Sequence, residues 1–180
     1  MRSSAGKSIS AWYRSQWRTT PTARAGVKEQ ILMHKGREFH ALGVVLGSRL
    51  KTSPVLTPDD VASTAPSDSS LYVPSANPGS LAPHMWLDEG SAAGSSLYDH
   101  FALDSMTLLI TRPGAAAAAE GIVKAAAVAG IPLRVIAPSS TALQTLYEAD
   151  MALIRPDQVI AWRGNSPDDA SKALLRAVGR

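Results

Sequence analysis

MTLLITRPGAAAAAEGIVKAAAVAGIPLRVIAPSSTALQTLYEADMALIRPDQVIAWRGNSPDDASKALLRAVGR, residues 106–180, decides the fold, because apolar periods and turn residues alternate along it with hardly a residue to spare. Met106 to Thr111 is apolar on both faces apart from its threonines, the pattern of a central strand covered on two sides. Pro113 and Gly114 stop it. Ala119, Ile122, Val123, Ala126 and Gly130 then recur at steps of three and four, which predicts a helix closed by Gly130 and Pro132. Leu133 to Ala137 reads as a second strand, and Ser139 or Ser140 caps a helix carrying Leu143, Leu146 and Tyr147. Met151 to Ile154 and Gln158 to Trp162 are two further strands, joined by a tight turn at Arg155-Pro156-Asp157. The last helix has Ser166 as cap, Pro167 at its first position, and Asp168 and Asp169 against the positive end of its dipole. Its buried stripe is Ala170, Ala173, Leu174, Ala177 and Val178.

Strand, helix, strand, helix, strand, strand, helix is the skeleton of a thioredoxin-like domain. The predicted fold class is therefore α/β, a thioredoxin-like βαβ-α-ββ-α domain preceded by a basic helical segment and a Pro/Ser-rich arm. Its first two strands are parallel and need a right-handed crossover, and the terminal hairpin supplies the antiparallel edge. Thiol exchange is excluded, since the sequence contains no cysteine. Disulfides and thiolate metal sites go with it, and the four histidines show no ligand spacing, so no metal site is assigned.

Upstream, Ser96 to Phe101 reads as a short amphipathic helix or turn, and Pro83 to Leu87 opens the ordered part. Residues 53–83 hold six prolines and seven serines, a composition that predicts a linker arm rather than core. Residues 24–42 predict a helix with Val27, Ile31, Leu32, Phe39 and Leu42 near one face, its stripe interrupted at Lys35 and Gly36 and its end set by Gly43. Val44, Val45, Leu46 and Gly47 then form a short β-branched run. The expected organisation is a flexible basic tail at 1–23, a helix and strand remnant of a domain junction at 24–52, the arm at 53–83, and a cysteine-free domain at 84–180.

The net charge of +3 hides an asymmetry: residues 1–51 hold ten Lys or Arg against two acids, and residues 52–180 hold eight against thirteen. The first acid is Glu29, after Arg2, Lys7, Arg14, Arg18, Arg24 and Lys28 among many Ser and Thr. Such a start has the composition of an organellar transit peptide, and equally of a solvated basic tail or of sequence belonging to an upstream segment. Trp12, Tyr13 and Trp17 interleave with Arg14 and Arg18, a pattern that a nucleic-acid or membrane surface uses and that packing on another domain explains as well. The longest mild apolar run, Ala115 to Ala119, is followed by Glu120, so no membrane span is expected. The expected location is cytoplasmic, with organellar targeting as the alternative, and neither nucleic acid nor membrane is expected as a partner.

Four strings in order carry a family resemblance: Pro78-Gly79-Ser80-Leu81-Ala82-Pro83-His84, Leu97-Tyr98-Asp99-His100-Phe101, Thr107-Leu108-Leu109, and the run from Arg155 through Asp157 and Trp162 to Gly164. Together with Leu42-Gly43, Leu46-Gly47-Ser48-Arg49 and Ser53-Pro54, they resemble the C-terminal region of FAD-dependent aromatic-ring hydroxylases of the phenol, hydroxyphenylpropionate and polyketide hydroxylase type. The likeness covers residues 24–180. It implies a three-part enzyme with an FAD-binding domain, a substrate domain and this thiol-free tail, which serves packing or subunit contacts. The glycine fingerprint of a dinucleotide fold occurs nowhere in the sequence, nor does the later Gly-Asp motif of such enzymes. FAD and NAD(P)H are thus implied for a complete relative and not for this chain. Leu81 stands where relatives commonly have Arg, Gly47-Ser48-Arg49-Leu50 where they favour Gly-Tyr-Arg-Tyr, and Ala102 and Met106 where Gly and Phe are usual.

Individual residues are read structurally. His84, and Asp99 beside His100, resemble an acid/base pair, but histidines at such a junction more often satisfy backbone groups. Arg155 and Asp157 sit at a hairpin turn, where an Asx-type hydrogen bond is expected. Trp162 is read as core or interface. Ser95 and Ser96 have no neighbouring base in the sequence and are not assigned as nucleophiles. Arg112-Pro113-Gly114 occupies the place of a thioredoxin's reactive loop and is read as a plain turn, with anion binding as the alternative. No catalytic, cofactor-binding or metal residue is assigned. The expected function is the non-redox, C-terminal part of an FAD-dependent aromatic monooxygenase, not catalytic alone and partnered by flavin and substrate domains or a flavoprotein subunit. The alternative is a stand-alone protein-binding or dimerising module that uses an exposed sheet edge and the aromatic N-terminus.

Overall fold

A computed structural model of the protein describes residues 21–39, 41–59, 70–88 and 92–180. The Trp12, Tyr13 and Trp17 cluster and the targeting composition up to Arg18 lie outside the described residues. The chain divides into two compact units, Met1–Ala41 and Leu42–Arg180.

In the first unit, helix α1 (Pro21–Phe39) starts on a proline, whose missing N–H costs nothing in a first turn. It passes through Lys35 and Gly36 unbroken and ends before Gly43, not at it. Ile31 and Leu32 are 50% and 61% exposed, so the expected apolar stripe does not form a buried face.

The second unit opens with a correction. Leu42–Val45 is a helical turn, α2, rather than a strand, and the Leu46 N–H donates to the Leu42 carbonyl at 2.9 Å. Branched side chains favour a strand only when a pleated neighbour packs against them. Val44 and Val45 face solvent instead.

The main sheet contains β1 (Met106–Ile110), β2 (Leu133–Ile136), β3 (Met151–Ile154) and β4 (Ile160–Gly164) in the order β2-β1-β3-β4. As expected, β1 and β2 are parallel, with Met106 opposite Leu133, while β3 runs antiparallel to β1 and β4 to β3. A four-residue strand cannot turn to run parallel without a crossover, and α3 (Ala116–Ala129) provides it. Gly130 ends α3 in the left-handed region at φ 65°, and the Ile131 N–H returns to the Ala126 carbonyl at 2.9 Å. Helix α4 (Thr141–Tyr147) precedes β3, and α5 (Pro167–Ala177) closes the chain with Ser166 accepting from the Asp169 N–H.

Because side chains alternate along a strand, one sheet feeds two cores. Met106, Leu108 and Ile110 meet α3 and α5 on one face, through Ile122, Ala126, Ala170 and Leu174. Leu109, Ala152 and Ile154 meet Leu143 and Tyr147 of α4, together with Leu87, Leu97 and Phe101, on the other. Val123 and Val178, expected in the buried stripes, are 43% and 40% exposed. Val123 lies one residue, about 100° of helix turn, past the inward Ile122, and Val178 lies just beyond the end of α5.

The arm is the largest departure. Leu56 is 5% exposed within the α3/α5 core, and Ala76 and Ala82 are buried on the opposite face. Residues 79–82 run along the outer edge of β4: the Gly79 N–H donates to the Ile160 carbonyl and the Ile160 N–H to that of Ser80. Ala82 N–H reaches Gln158, Leu81 bridges Val159 antiparallel, and Thr57 N–H donates to Ala161. The expectation that 53–83 stands off as a linker is therefore corrected at both described ends, and β4 is not the sheet's free edge. Residues 60–69 lie outside the described residues. No helix among the described residues is long and apolar enough to cross a membrane.

Candidate functional site

β4 is apolar until Arg163, and that residue organises the most elaborate polar cluster among the described residues. Its side chain is 4% exposed. Arg163 Nε donates to Asp59 Oδ2 at 2.8 Å, and one terminal nitrogen donates to the Tyr147 carbonyl at 3.0 Å and Glu148 Oε2 at 2.8 Å. The other terminal nitrogen donates to Asn77 Oδ1 at 2.5 Å. Asp59 and Asn77 belong to the arm, Tyr147 and Glu148 to the end of α4, so one guanidinium ties arm, helix and sheet together. Glu148 reaches it from a left-handed backbone at φ 54°. Arg49 joins from the other side, its Nε donating to the Pro78 carbonyl at 2.8 Å and a terminal nitrogen lying 3.6 Å from Asp59. A guanidinium carries several N–H donors in a fixed fork, so this group can bind and orient its neighbours.

Sequence reading did not single out Arg163. The available signal was a lone cation in a strand otherwise buried on both sides, since such a charge has to be paired.

The two serines set aside for want of a base each have one. Ser96 Oγ lies 2.9 Å from His84 Nε2, and Ser95 Oγ lies 2.8 Å from His100 Nε2. Both hydroxyls also have structural partners. Ser95 Oγ donates its proton to the Ala92 carbonyl, and Ser96 Oγ accepts from the Tyr98 N–H as a helix cap. Asp99 does not face a histidine; its Oδ2 accepts the Ser96 N–H at 3.0 Å and completes the capping box over Leu97–His100. His84 instead stands edge-on to Trp86 and Tyr98, each at 5.3 Å between ring centroids.

Behind these rings, Tyr147 OH donates to the Pro83 carbonyl and Tyr98 OH to that of Ala82. Burial pushes the Tyr147 phenol far above its usual range, and the neighbouring Tyr98 and Tyr72 push it the same way. Both phenols therefore stay neutral and anchor the arm as hydrogen-bond donors.

At the loop after β1, Arg112 donates to Asp150, which also accepts from Gln144 at 3.2 Å. Pro113–Ala115 forms a short 3-10 helix that leads into α3, with Arg112 just before it. At the hairpin, Asp157 accepts from Arg155 Nε at 3.1 Å and from the Val159 N–H at 3.3 Å. Partial burial raises the Asp157 pKa, but the bonds from Arg155 and Val159 outweigh it and leave the carboxyl below its ordinary value. Folded-state depression means that the charge stabilises the fold above the unfolded-state pKa, and that this gain is lost as pH falls through the folded-state one. Asp157→Asn should lower stability at neutral pH by about 0.5 kcal/mol or less, the small size reflecting solvent screening, and by nothing in strong acid. Urea titrations at several pH values check it. Trp162 is 5% exposed and packs into the α3/α5 core, with its ring lying against Gly164. Among the described residues, no group of three or more His, Asp or Glu is placed to hold a metal ion.

Comparison with known proteins connects these features. A family model described as aromatic-ring hydroxylase, C-terminal, matches residues 75–180. The FAD-dependent monooxygenase opdD of Penicillium oxalicum is 32% identical over 130 residues, 69% of this chain and 24% of that protein. The tetracenomycin B2 monooxygenase-dioxygenase of Streptomyces olivaceus is 34% identical over 110 residues, 56% of this chain and 20% of that one. Among solved structures, RebC soaked with chromopyrrolic acid superposes with a TM-score of 0.68 at 29% identity, over 89% of this chain and 30% of RebC. The flavin-dependent monooxygenase PieE, in complex with FAD and substrate, gives 0.66 at 25%, over 96% of this chain and 32% of PieE. The chain thus spans about a quarter of the length of the curated relatives opdD and apdD.

Proposed function

Because the chain belongs to the aromatic-ring hydroxylase family, as its C-terminal domain, we propose that it is the non-redox C-terminal portion of an FAD-dependent monooxygenase of phenolic rings and is not catalytic alone. The observation that carries this reading is the match over residues 75–180, in a chain whose likeness to its curated relatives covers about a quarter of their length. Its partner is then a flavoprotein body, in the cytoplasm, which supplies the cofactor and the substrate pocket. The finer assignment of the fold is thioredoxin-like, supported by the element sequence and the β2-β1-β3-β4 order.

Among the described residues, the turn at 112–115 does not fit an FAD cradle. In a dinucleotide fold the pyrophosphate rests on free amides where a parallel strand feeds its crossover helix. Here Pro113 has no N–H at that turn, the Ala115 N–H is taken by the Arg112 carbonyl at 2.9 Å, and the Arg112 guanidinium is paired with Asp150. The role that fits the geometry is mechanical: a sheet with one edge sealed by its own arm and a buried cation holding the arm in place.

Adding FAD to the purified chain should leave the flavin's visible absorption and fluorescence unchanged. Saturable binding with a fluorescence change would overturn the proposal. One observation favours a second reading, a dimerising module: β2 is paired on one side only in the strand order. Sedimentation equilibrium showing a tight dimer with no affinity for a flavoprotein would support that reading instead.

A further inference from the structure

A cleft of about 220 Å³ lies between the start of the arm and the end of α5. Its lining includes Arg49, Lys51, Thr52, Ser53 and Arg176, and no carboxylate residue. Two of the cations are held in place by neutral acceptors: Arg49 Nε by the Pro78 carbonyl at 2.8 Å, and Arg176 Nε by the Pro54 carbonyl at 2.9 Å. A carbonyl orients a guanidinium without cancelling its charge, so each keeps further N–H donors for a ligand. Lys51 pairs with no carboxylate among the described residues. Among the described residues, Asp59 and Glu148 stand against Arg49 and Arg163, and neither Lys51 nor Arg176 is paired with a carboxylate.

From this geometry we infer that the cleft is a binding site for a phosphate-type dianion, free or at the terminus of a phosphomonoester. Forked guanidinium donors match the oxygens of such a group, the lysine adds a point charge, and the Thr52 and Ser53 hydroxyls are donors of matching size. The volume admits a phosphate group and part of what it is attached to. The inference stands on charge and geometry and does not depend on the chain's place in a monooxygenase.

Calorimetric titration of the full chain at low ionic strength tests it, with inorganic phosphate as the probe and NADP+ and NAD+ as a pair differing by one phosphomonoester. Saturable one-to-one binding of phosphate is expected. Lys51→Gln and Arg176→Gln should each weaken it about tenfold or more, as the loss of a charge-assisted contact implies. Both residues lie at the surface, and an unchanged circular dichroism spectrum confirms that each variant is folded. Lys172→Gln, one turn before Arg176 and outside the cleft, should weaken binding less than twofold once ionic strength is matched. NADP+ binding more tightly than phosphate, with NAD+ silent, identifies a phosphorylated nucleotide as the source; equal affinity identifies the free ion. Failure of phosphate and NADP+ to saturate, or equal weakening by all three variants, would overturn the site.

Discussion

Replacing Arg163 by alanine should cost the fold about 3–5 kcal/mol, the range for removing one partner from a buried charge cluster. The cost comes less from the lost attraction than from what stays behind. Glu148 is 65% exposed and rehydrates freely, but Asp59 at 14% and Asn77 at 6% do not. The Tyr147 carbonyl also loses the donor it shares with them. An amide oxygen and a carbonyl, sheltered from water, are then left without their donor, and the carboxylate keeps only Arg49 at 3.6 Å. Urea unfolding measures the loss. Hydrogen exchange should place it, because the amides of Thr57, Gly79 and Ala82 all donate to the β4 strand or its turn and should open before those of β1. Adding Asp59→Asn to the alanine variant should recover part of the stability by removing the stranded charge. A single variant within about 1 kcal/mol of wild type would show that water enters the cluster, and that the arm is held by its backbone bonds instead.

How much of this was legible in the sequence follows from what each signal reports. Strands β1, β3 and β4 and helix α5 were readable because their patterns are set by burial on a sheet and by a cap, and both are written locally: Met106 to Ile110 as an unbroken apolar run, Ser166-Pro167-Asp168-Asp169 as a start signal. Leu42–Val45 misled because branched residues predict a strand only if a neighbour exists, and here the nearest pairing is the single bridge of Arg49 to Ser80. The arm misled for the opposite reason. Proline and serine lower the apolar content that announces a core, yet Leu56, Ala76 and Ala82 are enough to seal two faces because backbone bonds along β4 do the rest. The Arg163 cluster draws on Asp59 and Asn77, about a hundred residues upstream, and no local window contains it.

These contacts make the arm part of the sheet rather than a tether to something else. β4 as a bare edge would present open amides and carbonyls to any passing strand, a hazard that folds remove by pairing or covering. Residues 79–82 cover it from within the chain, and Leu50, whose N–H donates to the Gly79 carbonyl at 2.8 Å, extends the ladder one step further. For a domain whose relatives are about three times its length, a sealed edge confines contact with further polypeptide to other surfaces.

Gly79 is the point at which that cover is thinnest, and Gly79→Ala should destabilise the protein by about 2–4 kcal/mol. Two costs combine. The residue sits at φ +90°, where a side chain meets its own backbone, and a Cβ there would lie 2.6 Å from the Leu50 carbonyl oxygen and 3.1 Å from Leu56 Cδ1. The leucine methyl can rotate away, but the carbonyl cannot, because Leu50 is bonded to Gly79 and Gly79 to Ile160. Relief requires the arm to lift from β4, and the loss should therefore appear in thermal unfolding together with faster exchange at Ala82 and Thr57. Gly114→Ala is the matched comparison: it meets nothing within 4 Å and has no left-handed backbone, so it should be neutral or stabilise by about 0.4–1 kcal/mol. If the two alanines behave alike, the close approach of the arm to residues 50 and 160 is not what holds it, and Arg163 alone carries the attachment.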